Sequence, residues 1–204
     1  MEENCNYSKL EKIYYKNGGC ITRRDVDNAH ISSWFLSDFV RKNKLIKLAP
    51  GFYAGEHYMV DEYYVLQYRF PQYVYAGMSA LYLHHLTDRI PSYIEVVCVQ
   101  GYHPTKEKND QLSVRKVSNS DIYQLGICEV ETMFGNKVRV YNEEKTICDM
   151  VKMRSKYDSE VFTKAIRFFL KRRYNEARLF EYARAMKIEN ELFAILEMMK
   201  NNDE

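Results

Sequence analysis

The 204 residues carry 30 Lys and Arg against 28 Asp and Glu, and 46% of them are hydrophobic, with 8 Gly and 4 Pro. These figures exclude a collagen-like, low-complexity or largely disordered chain, and no apolar run approaches the ~18 residues of a membrane span. They leave room for one generous domain or two modest ones. The five cysteines (Cys5, Cys20, Cys98, Cys128, Cys148) form no CxxC and no paired spacing, so they read as reduced thiols. The only close histidine pair, His84-His85, points its two rings in different directions on a helix, and no metal site is expected. The polar, acidic start MEENCNYSK is unlike a secretory signal, which places the expected home in the cytoplasm.

Charge is uneven along the chain. Residues 1 to 55 hold nine Lys and Arg and six acids, a net of +3, whereas 56 to 141 come to −2 and 142 to 204 to +1. An array of bases on a small amino-terminal unit is the footprint that phosphate binding needs.

Leu10, Ile13 and Tyr14 recur at helical spacing before Asn17-Gly18-Gly19 stops the first helix. Cys20-Ile21 is a short apolar link. Thr22, three residues before Asp25, then predicts a capped second helix from Arg23 to about Asn28. Ser32 is the N-cap of a third helix whose apolar stripe is Phe35, Leu36, Phe39 and Val40, with Trp34 expected at the stripe's edge. From Leu45 the pattern alternates to Ala49, turns at Pro50-Gly51 and returns through Phe52-Tyr53-Ala54.

Three short helices followed by a β-hairpin predict a winged helix-turn-helix. In that geometry the third helix enters the major groove and its outward residues reach base edges. Ser33 and Ser37 are then base or phosphate contacts; Arg41 and Lys44, with Lys42 between them, are phosphate contacts. Arg23 and Arg24 stand at the start of the second helix, where amides and dipole already attract an anion, and Lys47 on the wing's first strand touches an adjacent backbone. A protein-docking module would share this pattern, with Trp34 as its anchor.

The run GGCITRRDV, followed by HISSWFLSDFVRKNKLIKLAPGFYA, resembles the amino-terminal winged-helix domain of AbiEi-type antitoxins, ending in the Gly-aromatic-Tyr element Gly51-Phe52-Tyr53. Two later blocks are also similar to that family: Tyr75 to Asp88 with Ile90-Pro91 following, and Tyr141 to Asp149, where Lys145 stands in place of the usual Arg before the Thr. The resemblance implies a repressor that binds inverted repeats in its own promoter. It also implies a carboxyl-terminal domain that counters a nucleotidyltransferase-like toxin without a stable complex, the type IV arrangement of abortive infection and phage resistance.

Beyond the hairpin, Tyr58 to Tyr68 and Gly77 to Leu86 read as helices, and Ile94 to Val99 as a strand buried on both faces. Leu112 to Val117, Ile127 to Glu131 and Val138 to Tyr141 read as further strands. From Glu143 the chain reads as helical, with stripes at Leu179, Tyr182, Ala183, Met186 and at Leu192, Ile195, Leu196, Met199. The fold class expected is therefore α+β, with residues 1–56 as the winged helix and 57–204 as a mixed α/β domain ending in helices.

Catalytic patterns find little footing. Gly77-Met78-Ser79 lacks the acidic pair a nucleotidyltransferase needs to clamp metal ions. Glu143-Glu144-Lys145, with Asp121 or Glu129 upstream, offers the carboxylates and lysine of a nuclease, but acids at a helix start serve the dipole. Ser79, His84 and Asp88 do not share one helix face. Lys171-Arg172-Arg173 reads as a solvated basic patch. The expectation is thus a non-enzymatic antitoxin and repressor with no cofactor. The alternatives are a plain winged-helix regulator without a toxin and a winged-helix-linked nuclease.

Overall fold

The computed structural model describes residues 2–102 and 111–201 and divides into two compact units, Met1–Arg69 and Phe70–Glu204. It is a mixed α+β protein. In the first unit, α1 (Glu2–Lys16) leads through the glycine turn to β1 (Cys20–Thr22), α2 (Arg23–Asn28) and α3 (Ser33–Lys42). β2 (Ile46–Ala49), β3 (Phe52–Ala54) and α4 (Glu62–Arg69) complete it. β3 lies between β1 and β2, antiparallel to both.

Local signals set most of these bounds. The Thr22 hydroxyl accepts from the Asp25 amide while the Asp25 carboxylate accepts from the Thr22 amide, a complete capping box. Ser32 caps α3 through the Trp34 amide. The helices close on a core of Leu10, Ile21, Val26, Ile31, Leu36 and Phe39. β1 escapes sequence reading because three residues, all buried, are too few to show an alternation. The register of β2 shifts at a bulge between Lys47 and Ala49, and Ile46 and Lys47, paired regularly before it, are both exposed.

The expected division at residue 56 falls short of the structural one. Tyr58, Tyr64 and Tyr68 surround the fully buried Phe52 ring, so the segment through α4 packs with the hairpin. α4 itself begins four residues later than Tyr58, where the Asp61 carboxylate accepts from the Tyr64 amide. Gly51 is locked from two sides: its carbonyl accepts from the Arg23 amide at 2.7 Å and from the Tyr68 hydroxyl at 3.0 Å. Its φ of +76° suits glycine, and a Cβ there would stand 3.0 Å from that of Arg23. Counted to Arg69, the unit holds ten Lys and Arg against nine Asp and Glu, because Glu56, Asp61 and Glu62 offset most of the earlier excess.

The second unit is built on a sheet ordered β6-β5-β4-β8-β7: β4 (Val74–Tyr75), β5 (Ile94–Val99), β6 (Leu112–Val117), β7 (Ile127–Glu131) and β8 (Lys137–Tyr141). β5 and β6 are parallel, as are β4 and β8; the other pairs are antiparallel. α5 (Gly77–Leu83) follows β4, and α6 (Ser120–Gln124) follows β6. The expected helix to Leu86 stops at Leu83 because His85 turns left-handed, with φ +55°. Gly77 suits the start of α5, since its φ is +52° and a Cβ would displace the Glu95 carboxylate that accepts from the Met78 amide.

α7 (Glu143–Lys152), a 3-10 turn at Arg154–Lys156, α8 (Ser159–Leu170), α9 (Glu176–Ala185) and α10 (Glu189–Asn201) form the helical end. Both stripes read from the sequence are buried together in one core with Leu81, Ile147, Phe162 and Phe169. No helix among the described residues is long and apolar enough to cross a membrane.

Candidate nucleic-acid interface

α3 presents two unlike sides. Phe35, Leu36, Phe39 and Val40 turn inward, while Ser33, Trp34, Ser37 and Arg41 are exposed. At 100° per residue Trp34 and Arg41, seven positions apart, differ by only about 20° and share the outermost line of the helix. The structure therefore corrects the placement of Trp34 at the stripe's edge: its indole is 59% exposed. The angular position relative to Leu36 and Phe39 would have shown this from the sequence. The ring is braced edge-on by Phe35, with centroids 5.0 Å apart, and Phe35 in turn rests edge-on against Tyr7.

The eight residues expected to touch DNA lie in different electrostatic settings. Ser33 opens α3, and the Ser37 hydroxyl donates to the Ser33 carbonyl at 3.1 Å. Arg41 and Lys42 both pair with Asp38, a carboxylate with only 7% of its side chain accessible, Lys42 at 2.8 Å. Tyr7 donates to the same carboxylate, and the Lys42 ammonium also lies 4.5 Å from the centre of the Tyr7 ring. These donors, Lys42 foremost and then Tyr7 and Arg41, hold the Asp38 carboxyl well below the usual carboxylate range. Asp38 was not foreseen as a functional residue. Arg41 keeps most of its guanidinium in solvent, whereas Lys42 is directed back toward α1.

Lys44, left-handed at φ +52° just past the α3 C-cap, and Lys47, on β2 opposite Tyr53, are exposed and without a carboxylate partner among the described residues. At the start of α2, Arg23 pairs with Asp27 at 2.8 Å in an exposed i,i+4 bridge, the kind worth little and readily exchanged for a phosphate. The Arg24 guanidinium stacks over the Tyr68 ring, 4.7 Å from its centre. The expected help from backbone amides is reduced here: Arg23 N–H donates to Gly51 and Asp25 N–H to Thr22. Anion attraction at this end rests on the two guanidinia.

In the second unit Ser79, His84, Asp88, Glu143, Glu144 and Lys145 all have structural partners. Glu143 pairs with Arg172 at 2.7 Å, and Glu144 takes both Arg178 and the Asn175 amide. Lys145, 1% exposed, meets Asp149 at 2.7 Å, and Arg115 reaches the other Asp149 oxygen at 2.8 Å. Arg172 also donates to the His84 and His85 carbonyls, so it belongs to the fold and not to the solvated patch expected for residues 171–173. The Ser79 hydroxyl accepts from the Glu95 amide, His84 Nε2 meets the Tyr141 carbonyl, and Asp88 pairs with Lys164. Burial pushes the Cys148 thiol up to about 12, far from thiolate chemistry at neutral pH. Among the described residues no group of three or more His, Cys, Asp or Glu could hold a metal ion.

Residues 15–54 match the family model described as "Transcriptional regulator, AbiEi antitoxin". Among solved structures, the chain is similar to the crystal structure of the RV2827C protein from Mycobacterium tuberculosis. The two are 14% identical, with a TM-score of 0.47 over 92% of this chain and 77% of the other. No curated protein matches the sequence.

Proposed function

We propose, from the match of residues 15–54 to the model described as a transcriptional regulator and AbiEi antitoxin, that the first unit is a winged helix-turn-helix and that the protein is an autoregulating antitoxin. In this reading α3 enters the major groove of promoter DNA carrying inverted repeats. Ser33 and Ser37 meet base edges or phosphate; Arg23, Arg24, Arg41, Lys42, Lys44 and Lys47 contact the backbone. The second unit, Phe70 to Glu204, counters a nucleotidyltransferase-like toxin without a stable complex. The system is then of type IV, acts in the cytoplasm, and provides phage resistance by abortive infection.

The observation that carries the reading is the coincidence of the matched segment with α2, α3 and the β2–β3 hairpin, whose outward side holds exposed bases and hydroxyls. The ion-paired Glu143, Glu144 and Lys145 favour a structural role for that block over nuclease chemistry.

The test is binding of the full chain to the DNA upstream of its own gene across a salt series. Arg23→Ala with Arg24→Ala should weaken binding on all sequences, and the slope of log affinity against log salt should fall by about one per lost phosphate contact. An unchanged slope in the folded double variant sinks that assignment. A chain with no affinity for duplex DNA sinks the repressor reading. Rescue of cells expressing the cognate toxin separates an antitoxin from a plain regulator.

A further inference from the structure

A large aromatic ring held in water on the outer line of α3 is not explained by the core. Trp34 is not among the residues packed directly on the buried cluster and meets it only through Phe35, while Ser33, Ser37 and Arg41 on the outward side are all polar. Polar side chains on that line suit base edges and phosphates, but the indole offers one N–H and a broad apolar face. In the major groove the apolar feature that distinguishes one base from the others is the C5 methyl group of thymine. The edge-on contact with Phe35, itself backed by Tyr7, restrains the ring on one side, which reduces the side-chain freedom lost when it meets a surface.

We propose that Trp34 is a specificity-determining residue that recognises thymine through apolar contact with its methyl group, and that Arg41, on the same line one face length further along α3, fixes the register by its phosphate contact. This rests on the DNA-binding reading above and adds to it the chemical identity of a base that is read. The hydroxyls of Ser33 and Ser37 flank the indole and supply the polar part of the same readout. Burial of one methyl group is worth about fourfold in affinity, so the preference scales with the number of methyl groups reached.

Trp34 is the chain's single tryptophan, which makes its own emission the probe. The full chain is titrated with the duplex upstream of its gene, prepared once with thymine and once with deoxyuridine throughout, and binding is followed in parallel by gel mobility. Trp34 emission is expected to change on binding. The deoxyuridine duplex should bind roughly fourfold more weakly per methyl contact. Trp34→Ala should bind both duplexes equally, and Trp34→Phe, which keeps an apolar ring, should retain part of the thymine preference. If mobility shows both duplexes bound while Trp34 emission stays unmoved, or if Trp34→Ala keeps the full preference, the thymine assignment is overturned and DNA binding stands. If neither duplex binds at low salt, both readings fall.

Discussion

Asp38 concentrates three donors on one carboxylate, and that arrangement sets opposing demands on a single residue. Lys42, Tyr7 and Arg41 stabilise its charged form, so its folded pKa lies below the unfolded value. The sign follows: the contribution to stability is present above the ordinary carboxylate pKa of about 4 and is lost as pH falls below it. Asp38→Asn should lower the thermal midpoint at pH 7 and flatten its fall below about pH 4, as read from melting curves across that range. A variant that melts with the native chain at every pH would show that the network contributes nothing. The same substitution frees Arg41 and Lys42 from their counter-charge and should tighten DNA binding at low salt. Little of this was legible in the sequence. Asp38 reads there as one more acid beside Arg41, because Tyr7, the partner that draws the cluster toward α1, lies 31 residues away.

At the level of elements, local chemistry was readable wherever a few adjacent residues decide the outcome. Thr22 with Asp25, and Ser32 before Phe35, were sufficient to start α2 and α3, because a cap satisfies amides within its own turn. α7 was legible as a helix but not as a buried one. Its residues Glu144 to Val151 are all buried, charges included, because Arg178, Arg115 and the Asn175 amide come from distant segments. Desolvation pulls the Lys145 ammonium below its usual pKa, and Asp149 is what opposes it. Asp149→Ala leaves that ammonium unpaired and should cost roughly 3–5 kcal/mol in urea denaturation. Lys145→Met combined with Asp149→Leu removes both charges and should recover most of the loss, since packed apolar groups replace a buried pair at little cost. A double variant no more stable than Asp149→Ala would place the cost in the packing of α7.

Across the whole molecule, the division at Arg69 changes what counts as the amino-terminal unit. A fragment ending at Glu56 loses Tyr58, Tyr64 and Tyr68 and uncovers Phe52; one ending at Arg69 keeps all four rings. The longer fragment should melt cooperatively by circular dichroism and the shorter should not. Equal melting of the two would return the boundary to the end of the hairpin. The sequence hid this because Tyr58 to Tyr68 shows an aromatic helix without showing which neighbour its rings face. The longer unit also reverses an inference drawn from charge. With ten bases and nine acids it projects almost no net field beyond the Debye length, about 8 Å at physiological salt. Long-range steering needs such a field, so encounters with DNA would form at an ordinary diffusive rate that salt barely alters. On the proposed function, salt would act instead on the lifetime of the complex, through the phosphate contacts proposed for Lys44, Lys47 and the two arginines of α2: a complex formed at an ordinary rate and released quickly when ions rise.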